Sequence, residues 1–220
     1  MEHSFWRSRW QNDQLGFHLS FVHPILKRNL PAYALPPRAR IFLPLCGKTL
    51  DIGWLLGQGY RVIGAELSEL AVSQLFDELD VTPEFSAWVG GQCWCHGKLM
   101  VFQGDIFRLT AEDLGPVDMV YDRAALVALP PAMRPAYAEQ ILALAGTAPQ
   151  LLITFEYDPA EKDGPPFPVL PEEVERLYGE RHAITELSRK DVLQDSLNFR
   201  EAGVTRFVEV SWRLTPKRAS

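Results

Sequence analysis

The chain has 220 residues, 47% hydrophobic and 23% charged, with a formal net charge of −6 and a sequence pI of about 5.4. This length suits one sizeable core rather than two domains, and the composition excludes the disordered and collagen-like classes. The acidic balance argues against nucleic acid, whose partners carry a concentrated basic stripe; the one basic cluster, Lys217-Arg218, is too small to supply it. No run reaches the ~18 consecutive apolar residues of a transmembrane helix. The first residues, Met1 to Arg7, lack the basic start and apolar run of a secretory signal. Three cysteines, Cys46, Cys93 and Cys95, make a poor disulfide framework. A reduced, cytoplasmic protein is expected, and the acidic surface favours a monomer.

In chain order, residues 4–30 read as helical with a break. Phe5, Trp6, Arg9 and Trp10 precede a turn at 13–16, and a second helix is expected over 18–27. The aromatic group Phe5, Trp6, Trp10 and Phe17 fits either a lid across a site or ordinary helix packing. Three prolines within 30–38 close this segment. The core then alternates: strand 40–44, helix 50–58, strand 61–65, and a helix from Ser68 to 79 with Ser68 as N-cap. Runs 85–89 and 92–96 flank Gly90-Gly91, a hairpin signal. Strands 99–103 and 117–121, helix 134–144 and the apolar strand 150–156 follow. A Pro/Gly loop at 158–168 leads to a short helix at 171–178 and last strands at 183–188 and 204–214. Strands alternating with helices imply a mostly parallel sheet covered on both faces, with the final strands forming an antiparallel hairpin.

The chemistry concentrates at 41–68. An apolar strand runs into Leu45-Cys46-Gly47-Lys48-Thr49, a helix starts, and a second strand ends in Glu66. An acid about 20 residues beyond such a turn reaches a nucleotide ribose in a Rossmann-type βαβ unit. Its alternative role is a carboxylate at a helix start. A P-loop needs glycine where Phe42 stands. A pyrophosphate-binding turn needs three glycines where only Gly47 is present. An adenosine ligand without phosphates needs neither, which favours S-adenosylmethionine over NAD. Asp105 with Ile106, after the strand at 99–103, suits an adenine: an acceptor for the exocyclic amine beside an apolar wall. The Asp122-Arg123 pair interrupts an apolar run at a strand tip, where ligands of open α/β sheets lie. Cys93 and Cys95 share one strand face and read as packing residues, not metal ligands. No zinc-like or triad spacing joins the five histidines, and no G-x-S-x-G is present.

Together Phe5-Trp6, Arg9-Trp10, Gly16-Phe17-His18, the run Pro44 to Lys48, the run Gly64 to Ser68, the run Tyr121 to Leu126, Gly164-Pro165-Pro166-Phe167 and the run Pro171 to Val174 resemble the thiopurine S-methyltransferase family, specifically its bacterial members. The resemblance implies a class I methyltransferase: one domain over 1–220, Rossmann-like, with a mostly parallel seven-stranded sheet, helices on both faces and an antiparallel terminal hairpin. Residues 1–38 form its lid. It implies S-adenosylmethionine as cofactor and S-adenosylhomocysteine as product. Trp10, Leu45, Glu66 and Arg123 match cofactor-contacting positions, and Asp105 and Ile106 the adenine-proximal pair. Phe17, Arg123 and Arg200 match the substrate side. The implied acceptors are aromatic or heterocyclic thiols such as thiopurines, with selenium or tellurium compounds in detoxification as an extension. No metal and no strong dedicated base is required, though a water-mediated proton path through Asp122 is conceivable. The competing readings are an NAD-dependent oxidoreductase and a methyltransferase-like binding protein without turnover.

Overall fold

The protein, described here from a computed structural model, is characterised at residues 3–12, 14, 16 and 18–217. Phe17 and parts of the 13–16 turn lie outside the described residues. The strands, in chain order, are β1 (Arg40–Pro44), β2 (Arg61–Glu66), β3 (Glu84–Trp88), β4 (Gly91–His96), β5 (Leu99–Gly104), β6 (Met119–Arg123), β7 (Gln150–Glu156), β8 (His182–Asp191) and β9 (Val208–Pro216). They form one sheet in the order β3-β4-β5-β2-β1-β6-β7-β9-β8. The five central strands β5, β2, β1, β6 and β7 pair in parallel. Both edges are antiparallel: β3-β4-β5 on one side, β7-β9-β8 on the other.

The parallel centre follows from double burial. Ile41 and Leu43 face one layer of core with Met119, Tyr121, Leu151 and Ile153. Phe42 faces the other with Val120, Leu152 and Ile141. Such strands must be apolar at every position, which is why they read as continuous runs. The crossover helices are α3 (Leu50–Gly57) and α4 (Glu69–Glu78), then the short α5 (Ala111–Leu114) and α6 (Arg134–Ala145). Thr49 and Ser68 cap α3 and α4 through their hydroxyls, which accept from Asp51 N–H and Ala71 N–H. α7 (Pro171–Tyr178) and α8 (Leu197–Glu201) complete the C-terminal half.

Three sequence expectations change. The sheet has nine strands, because the hairpin β3-β4 extends the expected seven-stranded sheet at its β5 edge. That addition requires Gly104 (φ 148°), where a Cβ would meet the Gly90 carbonyl oxygen at 2.4 Å. At the N-terminus, α1 spans His3–Gln11, but α2 is only Pro24–Asn29, not a helix from residue 18. Pro24 at its first turn and the His23 side chain, which accepts from Ile25 N–H, define its start. Finally β9 begins at Val208 rather than 204, because Val204 and Phe207 pack into a small cluster with Tyr157 and Phe199. Among the described residues no helix is long and apolar enough to cross a membrane.

Candidate active site

A cavity of about 1210 Å³ opens beyond the C-terminal ends of β1, β2, β5 and β6, where open α/β sheets bind ligands. Its floor on one side is the turn from β1 to α3. Leu45 (φ 45°) and Gly47 (φ 52°) both hold left-handed backbone there. For Leu45 this costs of order 1–3 kcal/mol and persists only where the surroundings enforce it. The enforcing group is Glu66. Its Oε2 accepts from Gly47 N–H at 2.8 Å and its Oε1 from Ser68 N–H at 2.8 Å. One carboxylate thus ties the β1–α3 turn to the β2–α4 turn. Burial raises the Glu66 pKa, against the backbone N–H bonds from Ser68, Gly47 and Leu67 that lower it. Lys48, which a P-loop would aim at phosphate, instead pairs with Glu78 at 2.6 Å.

Trp10, Leu45, Glu66, Asp105, Ile106 and Arg123 all line this one cavity. Asp105 caps the short turn after β5, its Oδ1 accepting from Phe107 N–H, and Ile106 is buried beside it. Arg123 ends β6 and is followed by Ala124 at φ 62°, a second left-handed non-glycine residue in the cavity wall. Trp10, on α1, is 4% exposed; Trp6 and Arg9 of the same helix also line the cavity.

Two expectations fail on geometry. Arg200 is exposed and does not line the cavity; on α8 it is Leu197, Asn198 and Phe199 that do. Adjacent residues of a helix point about 100° apart, so burying Phe199 turns Arg200 outward. Asp122 is fully buried on the opposite face of the sheet from Tyr121. Its Oδ2 accepts from Tyr137 O–H at 2.7 Å and its Oδ1 from Leu126 N–H at 3.1 Å. Burial pushes its pKa up to about 6. It does not line the cavity, and its carboxylate is taken up by Tyr137 and the backbone of Leu126.

The structure adds residues that sequence reasoning missed. Phe155, Phe199 and Phe207 line the other half of the cavity. Phe207 stacks between them, at 4.8 Å from Phe155 and 3.7 Å from Phe199. Beside them lies a polar cluster. His23 N–H donates to Asp51 Oδ1 at 2.7 Å, Tyr121 O–H donates to Asp51 Oδ2 at 3.0 Å, and His23 Nε2 lies 3.2 Å from Glu209 Oε2. His23-Pro24 carried a faint helix-start signal; nothing local marked the others.

The cavity sets the carboxylates of Glu66 and Asp105 beside apolar Leu45 and Ile106. Solved structures agree on the architecture. A methyltransferase from Anabaena variabilis that depends on S-adenosylmethionine aligns with a TM-score of 0.62 at 14% identity, covering 98% of this chain and 95% of that one. A 1,6-didemethyltoxoflavin-N1-methyltransferase from Burkholderia thailandensis, with bound S-adenosylhomocysteine, aligns at 0.59 with 17% identity, covering 97% and 87%. The fold is that of the class I methyltransferases. Within that class the chain belongs to the thiopurine S-methyltransferase family, which it matches over residues 1–217. A relative of that name from Xanthobacter autotrophicus is 51% identical over 193 residues, 87% of this chain and 91% of the relative. Another, from Xanthomonas campestris pv. campestris, is 45% identical over 215 residues, 97% and 99% of the two chains.

Proposed function

We propose that this protein methylates the sulfur of small aromatic or heterocyclic thiols, thiopurines among them. The observation that carries the reading is the division of one cavity into a polar half built on Glu66 and Asp105 and an aromatic half built on Phe155, Phe199 and Phe207. A flat, π-rich acceptor suits such walls, since aromatic contacts contribute about 0.5–1.5 kcal/mol beyond area burial. The names of the relatives point to the same acceptor class.

Glu66 is the ribose ligand in this reading. Its two oxygens hold the backbone N–H groups of Gly47 and Ser68, and the remaining acceptor capacity of the carboxylate is offered to the ribose hydroxyls. Asp105 and Ile106 receive the adenine, Leu45 and Trp10 close over the cofactor, and Arg123 favours a sulfur anion between the two halves. The helix α1, which brings Trp6, Arg9 and Trp10 to the cavity, acts with the rest of the N-terminal segment as a lid that excludes water, which strengthens the charge interactions beneath it. Bound there, the cofactor supplies an electrophilic methyl group on a good leaving group. Alignment of donor and acceptor contributes roughly 7–11 kcal/mol of the barrier reduction.

The same reading extends to selenium and tellurium nucleophiles, whose soft lone pairs ask for the same alignment, and so to detoxification. The three free cysteines and the acidic charge support a cytoplasmic monomer that does not engage nucleic acid. The test is transfer of radiolabelled methyl from S-adenosylmethionine across thiophenols, thiopurines, selenite and tellurite, with calorimetry of S-adenosylmethionine, S-adenosylhomocysteine and NAD alongside. Label in the thiols with no NAD binding is the expected result. NAD binding without transfer overturns the proposal.

A further inference from the structure

We infer that Glu209 takes the proton from the acceptor thiol and that His23 is the positioning residue that holds its carboxylate; the inference rests on the thiol-methylation reading above. Among the described residues six carboxylates line the cavity: Asp51, Glu66, Asp105, Asp163, Asp195 and Glu209. Asp51 has one oxygen on His23 N–H and the other on Tyr121 O–H. Glu66 has one on Gly47 N–H and the other on Ser68 N–H. Asp105 sits at the end assigned to adenine and caps its own turn. Asp163 and Asp195 are exposed at the rim. Glu209 differs from all five. Its side chain is 17% exposed, its Oε2 is 3.2 Å from His23 Nε2, and its Oε1 has no hydrogen-bond partner among the described residues.

The tautomer of His23 follows from its bonds. Nδ1 accepts from Ile25 N–H at 3.3 Å, so the neutral ring carries its proton on Nε2 and donates it to Glu209. The ring is fixed from behind, because His23 N–H is held by Asp51, which is held in turn by Tyr121. A proton entering His23 itself must attack Nδ1 and break the start of α2. The open basic atom is therefore Glu209 Oε1. In the sheet Glu209 stands directly opposite Phe155 of β7 and Lys190 of β8, and paired positions share a face. The carboxylate thus borders the aromatic wall. The charged and titratable groups around it are His23 before α2, Asp51 on α3, Tyr121 and Arg123 on β6, and Lys190 on β8, itself 3.5 Å from Asp195.

The step balances without a further reactant. The S–H bond breaks and its proton goes to Glu209 Oε1. The electron pair left on sulfur forms the new bond to the methyl carbon. The pair of the breaking carbon–sulfonium bond stays on the departing sulfur, which becomes a neutral thioether. Glu209 then returns the proton to solvent at the rim.

The experiment uses the full chain, ring-substituted thiophenols of graded acidity, and kcat/KM as a function of pH. Glu209→Gln is expected to lose about 100-fold on the least acidic thiols and little on those already ionised. His23→Gln should show the same pattern more weakly. A second readout is the thiolate absorption of a thiophenol bound with S-adenosylhomocysteine, which should appear at a lower pH in Glu209→Gln than in the unmodified protein, because the carboxylate charge opposes a thiolate beside it. S-adenosylhomocysteine titration checks that each variant is folded; if Glu209→Gln fails it, Glu209→Asp and His23→Gln carry the test. An equal loss on all thiols, or no loss, overturns the role of Glu209. If the unmodified protein binds S-adenosylhomocysteine but methylates no thiol, it is the acceptor reading that fails instead.

Discussion

The two halves of the cavity are built by different means. The half at β1, β2 and β5 is made of turns. Its shape is backbone, set by Gly47, Leu45 and Gly104 and stitched by Glu66. The half at β6, β7 and β9 is made of side chains, brought from the segment before α2, from the strands and from α8: His23, Arg123, Phe155, Phe199, Phe207 and Glu209. A backbone-built half suits a constant ligand, because its donors cannot change without changing the fold. A side-chain wall changes with single substitutions and suits a variable acceptor.

Breaking the first half should have the largest effect. Glu66→Ala leaves two buried N–H groups, of Gly47 and Ser68, without acceptors, at about 1–3 kcal/mol each. It is expected to lower thermal stability and to weaken S-adenosylhomocysteine binding by 100-fold or more, on the order of 3 kcal/mol. Unchanged affinity by calorimetry means Glu66 only braces the turn. Next comes Arg123, at the seam. Arg123→Ala should lower kcat/KM by about 10- to 100-fold, matching the 1.5–3 kcal/mol of a charged hydrogen bond, with S-adenosylhomocysteine affinity falling less. An unaltered kcat/KM with a thiopurine removes Arg123 from the site.

A smaller effect probes the layer behind the wall. Asp122 has its pKa raised from 3.8 to about 6 by burial. The folded state therefore holds this proton between about pH 4 and 6 while the unfolded chain releases it. The stability this contributes is complete below about pH 4 and is lost as pH rises through 6. On acidification from pH 7 to 4.5, the unmodified protein should gain on the order of 1–3 kcal/mol relative to Asp122→Asn. A pH-independent difference between the two melting curves contradicts this. The smallest effect is that of Arg200→Ala, since the side chain points to solvent: kcat/KM should stay within about twofold, as for other surface changes. A large loss there places Arg200 in the acceptor site after all.

The same division explains what could be read in advance. The run from Ile41 to Ser68 contains a whole βαβ unit, so strand, turn, cap and acid are all local, and each is found where its spacing put it. The faces of isolated residues were harder. Asp122 and Arg123 are neighbours in sequence, but strand alternation sends them to opposite sides of the sheet. Arg200 and Phe199 diverge for the corresponding helical reason. His23 and Glu209 lie at opposite ends of the chain, and no periodicity relates them.

The sequence by itself determined the fold class, the family and the local build of the turns at the end of β1 and β2, because those depend on periodic burial and on contacts within about 30 residues. Only the tertiary structure decided which carboxylate keeps an open oxygen and which aromatic rings meet. Those depend on which strands become neighbours, and β9 returns between β7 and β8 from the far end of the chain.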